Sequence, residues 1–275
     1  MKAISLLYHD VVSFPDLESS GFPGAGAAVY KIELPEFDAH LDILAAHISQ
    51  PPGSVATSNS VPSGAAPPVY LTFDDGGSSA DTIVRDRLSA LGWTGHFFVT
   101  GDRIDTPGFL SRSQIRSLHS GGHVIGSHSW SHPPRMSACN FDTLLQEWRR
   151  STAALAEIIG ERVQVASVPG GFYSRLVAEA AAEAGIRFLF TSEPTKTVEM
   201  VDSCSVYGRY SITRRTKRNA LPGFVSSTNS WSQASQVLNW RTRKVMKAVL
   251  GQTYISTREK LLSWRGTAVE RDRSG

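Results

Sequence analysis

The sequence predicts an α/β fold in which parallel strands form a barrel wrapped by helices. Three observations lead there. Short apolar, β-rich runs alternate with segments whose apolar residues recur three to four apart, at least six such runs occur, and each is bounded by Gly, Pro or a polar cluster. The length, 275 residues, suits one α/β barrel with appendages.

In chain order, strands are expected at Ile4–Tyr8, Val69–Phe73, His96–Thr100, Val124–Ser127, Val163–Ser167 and Arg187–Thr191. Helices are expected at Leu34–Ile48, Ala80–Leu91, Arg112–Ser120, Phe141–Ile159 and Arg175–Ala184. The stretch from Gln50 to Pro68 is rich in Ser, Pro, Gly and Ala without periodicity and reads as an exposed connector. No repeat of twenty to fifty residues is visible, which argues against a solenoid or propeller. The expected division is one main α/β domain over 1–215 and a basic helical extension over 216–275.

With 41% hydrophobic and 19% charged residues and no apolar run near twenty, a transmembrane helix is not expected. The N-terminal apolar stretch is too short for a signal segment and closes on His9-Asp10, so a cytoplasmic location is expected. Two cysteines, Cys139 and Cys204, read as reduced and structural. After position 200 there are fourteen Lys and Arg against four acids. That tail reads as a solvated helical surface and nucleic acid is not an expected partner, although a basic tail can in principle meet nucleic acid or anionic lipid. Nothing in the sequence bears on the oligomeric state.

The chemistry concentrates at two strand ends. Val69–Phe73 runs into Asp74-Asp75-Gly76-Gly77, where consecutive carboxylates point in different directions, so one can bind a cation while the other faces water. Alone, the same four residues read first as a polar turn. His128-Ser129-Trp130-Ser131-His132 follows another apolar run; if the chain turns helical there, histidines four apart share one face. Together, two His and one carboxylate form an open ligand set for a catalytic divalent ion. His40, His47, His96, His119 and His123 lack partners at ligand spacing and read as packed or surface residues.

Thr72-Phe73-Asp74-Asp75-Gly76 and His128-Ser129-Trp130-Ser131-His132 resemble the first two motifs of the polysaccharide deacetylases of carbohydrate esterase family 4, which share the NodB homology domain. The resemblance spans roughly residues 4 to 215. It implies a distorted (β/α) barrel, with Asp74 as general base and Asp75, His128 and His132 holding a divalent ion, usually zinc. It also implies removal of N-acetyl groups from an N-acetylated amino-sugar glycan.

Ser167-Val168-Pro169-Gly170-Gly171-Phe172-Tyr173 is similar to the family's third motif in altered form. Ser167 stands where an arginine would orient the base, and Gly170 replaces an aromatic residue. Pro169 and Gly170 remain the implied substrate-binding pair, the Gly170 N–H being available to an oxyanion. The family's later motifs have no counterpart after Phe188, and no histidine follows His132. Tyr8-His9-Asp10 resembles the N-terminal strand of the circularly permuted exopolysaccharide deacetylases that act on poly-N-acetylglucosamine, so His9 is the expected general acid. Trp130, Phe172 and Tyr173 adjoin the motifs and read either as sugar-stacking or as core residues. Two further readings stay open: an inactive carbohydrate-binding homologue, and an O-acetyl esterase of xylan-like glycans.

Overall fold

The computed structural model describes residues 1–56 and 66–242. Eleven strands occur among them: β1 (Ile4–Tyr8), β2 (Val11–Val12), β3 (Ile32–Glu33), β4 (Val69–Phe73), β5 (Gly95–Val99), β6 (Val124–Ser127), β7 (Val165–Ser167), β8 (Phe188–Phe190), β9 (Glu199–Val201), β10 (Cys204–Tyr207) and β11 (Tyr210–Ser211). The helices are α1 (Ala25–Ala28), α2 (Leu34–His47), α3 (Arg85–Ala90), α4 (Arg112–Ser120), α5 (Phe141–Ile159), α6 (Arg175–Glu183) and α7 (Leu221–Val225). Residues 231–242 are also helical.

Nine strands form one sheet in the order β11-β1-β4-β5-β6-β7-β8-β10-β9, with β2 and β3 paired separately. Every pair in the large sheet is parallel except β9–β10. All five residues of both β1 and β5 are buried, as expected of parallel strands covered on both faces.

The curl of this sheet follows from one short connection. β10 pairs with β8 towards one end of the strand order and β11 pairs with β1 at the other, yet only Gly208 and Arg209 join them. Three Cα steps reach at most roughly 11 Å. The two ends must therefore lie side by side, which rolls the sheet into a distorted (β/α) barrel. At this seam the Gly208 backbone passes so close to its neighbour that a Cβ would stand 2.4 Å from the Glu193 carbonyl oxygen, so only glycine fits.

Alternation along the strands sorts the two faces. Leu71 and Phe73 join Tyr8, Phe37, Leu41 and Leu44 in the outer core beneath α2, whereas Tyr70 belongs to an inner cluster with Phe98, Phe190 and Tyr207. Thr72 and Asp74 follow Tyr70 at the same period and share its inward face. Helices α5 and α6 cover the other flank, with Trp148, Val177 and Leu189 at its centre. Leu221, Phe224 and Val225 of α7 lie in the same core as Ile4 and Tyr8, while Trp231 and Leu238 are exposed. The basic tail beyond 242 and connector residues 57–65 lie outside the described residues. No described helix is long and apolar enough to cross a membrane. Cys139 and Cys204 are free thiols.

Candidate active site

Parallel strands deliver the functional residues to one rim. Tyr8 pairs with Phe73, and Phe73 with Phe97, so the residues that follow β1 and β4 emerge together at the carboxyl ends. His9, Asp74, Asp75 and His128 each come directly after a strand or one residue later, and Ser167 ends β7. His9, Asp74, Asp75 and His128 meet a cleft of about 550 Å³ that is also lined by Phe22, Tyr30, His132, Arg135, Gly170–Tyr173, Glu193 and Trp240.

Asp75, His128 and His132 offer three ligand atoms within 4.8 Å of one another. The Asp75 Oδ1 atom is 3.4 Å from His128 Nε2 and 3.7 Å from His132 Nε2. A helix does not bring the histidines together, contrary to one sequence expectation. Ser129 and His132 adopt positive φ of 63° and 53°, and residues 128–132 curl as a loop. Glu147 of α5 holds that loop, accepting hydrogen bonds from the Trp130 and Ser131 amides at 2.9 and 2.8 Å and from the Ser131 hydroxyl at 2.7 Å. The Ser129 hydroxyl accepts from the His132 amide at 3.0 Å. Asp75 itself has φ 75°; such strained non-glycine backbone concentrates at functional sites.

The hydrogen bonds fix which histidine nitrogen is free. Ser167 Oγ donates to Asp74 Oδ1 at 3.1 Å, so its lone pairs must accept from His128 Nδ1–H at 2.6 Å. That leaves the lone pair of His128 on Nε2, directed at Asp75. A neutral imidazole oriented by its other nitrogen is what a divalent ion requires. Burial would push the Asp75 carboxyl up, but the three neighbouring histidines His128, His9 and His132 hold it well below the ordinary carboxylate range. Burial and neighbouring His128 push His132 down to about 4, against the attraction of Asp75. Both shifts keep ligand lone pairs available, and the donor set fits a divalent cation.

Asp74 is held by a residue that the sequence reading missed. Arg209, fully buried in the seam between β10 and β11, donates from Nη1 to Asp74 Oδ1 at 2.7 Å and from Nη2 to Oδ2 at 2.8 Å. Its Nε–H donates to the Thr191 carbonyl at 2.8 Å, and its guanidinium lies 5.7 Å from the Phe98 ring centroid. Burial would raise the Asp74 carboxyl; the charge of Arg209, helped by His128 and His9, keeps it below the ordinary range. An arginine, absent at Ser167, thus reaches Asp74 from the seam after β10. The signal was the lone Arg in Val206-Tyr207-Gly208-Arg209-Tyr210, a cation between apolar strand residues.

His9 reaches the same cleft, with its ring centroid 4.6 Å from that of Tyr30 and its Nδ1 enclosed without a hydrogen-bond partner. Pro169 is buried, and Gly170 and Gly171, both at positive φ, bring bare backbone to the cleft wall. Phe172 and Tyr173 line the cleft, whereas Trp130 packs beneath the Arg150 guanidinium at 3.9 Å. His40, His96 and His123 are buried, and His119 faces Glu161, as expected of structural residues.

Known proteins resemble the chain in sequence and in fold. Residues 62–189 match the family model described as polysaccharide deacetylase. Residues 62–189 are thus similar to the polysaccharide deacetylases of carbohydrate esterase family 4, and the described chain shares their NodB-type fold. It is 31% identical over 127 residues to the peptidoglycan-N-acetylmuramic acid deacetylase PdaA of Bacillus subtilis, covering 45% of this chain and 46% of that protein. The chain thus spans less than half the length of the curated relatives it matches. Among solved structures, IcaB from Ammonifex degensii superimposes with a TM-score of 0.65 at 21% identity, covering 84% of this chain and 97% of that one. The Streptococcus pyogenes deacetylase PplD, in complex with acetate, gives 0.66 at 17% identity, over 82% and 99% of the two chains. These two likenesses concern the fold. The family-model match starts at residue 62 and ends at 189, so His9 and Arg209, which complete the rim, lie outside it.

Proposed function

We propose that the protein is a metal-dependent hydrolase that removes N-acetyl groups from an N-acetylated amino-sugar glycan. The observation that carries this reading is a free carboxylate–imidazole–imidazole ligand set immediately beside a second, separately anchored carboxylate. Asp75, His128 and His132 would hold the ion, zinc being the favoured identity for this nitrogen and oxygen donor set. When bound, a divalent cation polarises an acetyl carbonyl and makes a nearby water more acidic.

The rest is done by the chain's own residues. Asp74 accepts the proton of the attacking water. Arg209 and Ser167 fix its two oxygens, so one direction of approach is left for that proton. The Gly170 N–H, on a wall without a side chain, serves the developing oxyanion in this reading. His9, whose enclosed Nδ1 lacks a protein partner, donates the proton that lets the amine depart. The products are acetate and a free amino sugar.

Acetate release from N-acetyl-chito-oligomers tests the reading, with wild-type and Asp74→Asn protein loaded with the same metal. Wild-type release that the variant lacks supports it. Equal release at background supports a carbohydrate-binding homologue, and release from acetylated xylan alone supports an O-acetyl esterase.

A further inference from the structure

One cation in the cleft has no role in this chemistry. Arg135 follows His132-Pro133-Pro134 at the cleft wall, partly buried, with its guanidinium 5.9 Å from the Phe172 ring centroid. Its Nε is enclosed and has no hydrogen-bond partner, and among the described residues no carboxylate forms an ion pair with it. Asp74 is engaged by Arg209, Asp75 by the two imidazoles and Glu147 by the loop amides, and Glu193, which also lines the cleft, is among the carboxylates that form no ion pair with Arg135.

An arginine cannot shed its charge, and a half-buried guanidinium without an acceptor loses solvation with nothing in return. Arg209, in contrast, is saturated on both forks. A fixed, planar and unpaired donor a few residues from the metal ligands is a built half of a charge-assisted pair, and the other half must arrive with the ligand.

Resting on the deacetylase reading, we infer that Arg135 recognises an anionic substituent on the sugar chain, and that the substrate is an acidic N-acetylated glycan carrying a carboxylate on a sugar at or next to the one being deacetylated. A monoanion matches the single unpaired charge that Arg135 presents. Phe172 keeps the guanidinium plane against the wall, so the carboxylate is met from the open side.

The test is binding, which is independent of turnover. Metal-loaded Asp74→Asn protein is titrated calorimetrically with an oligosaccharide containing N-acetylmuramic acid, and with the same oligosaccharide after its carboxylates are converted to neutral amides. The acid should bind roughly tenfold to a hundredfold more tightly than the amide. Adding Arg135→Met should erase that difference while leaving the amide's affinity unchanged, and Arg135→Lys should restore part of it. Equal affinities for acid and amide overturn the assignment, as does an Arg135→Met change that weakens both ligands alike. Should the acid be preferred while wild-type protein releases no acetate, the hydrolase reading fails and the role of Arg135 stands.

Discussion

Arg209 grips Asp74 with both forks across 135 positions of sequence, the arginine fully buried and the carboxylate buried but at the cleft. A bidentate pair sets the carboxylate plane as well as its charge. Replacing Arg209 with Met leaves a buried carboxylate without its counter-ion, which costs about 3–5 kcal/mol of stability. The variant should melt at lower temperature and lose most of its acetate-releasing activity even where it is folded. Lys keeps the charge without the fork, so Arg209→Lys should recover stability more than activity. Differential scanning calorimetry beside acetate assays measures both. Equal recovery of the two would mean that the fork has no orienting role.

Ser167 links the two halves of the site, since its hydroxyl touches both the Asp74 carboxylate and the His128 ring. Ser167→Ala removes the acceptor that stabilises the Nδ1–H tautomer, leaving only the weaker carbonyl contact at 3.2 Å. Zinc affinity should fall by roughly tenfold to a hundredfold, the usual consequence of losing such a supporting bond. Competition against a chromophoric chelator reads it directly. Unchanged affinity would show that the Ser167 carbonyl alone orients the imidazole.

His9 stands apart from the ligand set, so its removal separates proton donation from metal binding. His9→Ala should lower kcat by about a hundredfold or more while the protein keeps its full complement of zinc. Metal analysis of the purified variant beside its turnover number decides. Wild-type turnover would remove His9 from the reaction.

Legibility followed physical range. Strands such as Ile4–Tyr8 and Val124–Ser127, and helices Arg112–Ser120 and Phe141–Ile159, were readable to the residue because a buried strand or an amphipathic helix writes its period locally. β9, β10 and β11 were missed: at two to four residues they are too short to show a period, and tertiary pairing makes them strands. Asp75, His128 and His132 were legible as a set because ligands cluster within motifs. Arg209 was not, because its meaning arises only when the sheet rolls up and its two ends meet. The loop bearing both histidines was misread as a possible helix, since four-residue spacing is all a sequence shows. The Glu147 carboxylate that shapes it lies a further fifteen residues on.

The barrel interior also carries a pH-sensitive element outside the set of Asp75, His128 and His132. His96 is fully buried, packed against Tyr70 and Phe190, and uses both ring nitrogens. Nε2 accepts from the Val55 amide at 3.0 Å, so Nδ1–H must donate to the Leu71 carbonyl at 3.1 Å. Protonation would turn Nε2 into a donor facing another donor. Burial, opposed by the Leu71 hydrogen bond, pushes the His96 pKa down to about 4 from 6.5. Between those values the unfolded chain binds a proton that the folded chain refuses, so stability rises with pH across that window. The contribution is complete above about pH 6.5, and about 3 kcal/mol is lost as pH falls towards 4. Urea unfolding of wild type and His96→Gln from pH 4 to 8 measures it. The variant should be less stable than wild type at pH 8 because its packing is imperfect, and the gap should narrow steadily on acidification. A gap that stays constant with pH would mean that His96 is protonated in the folded barrel.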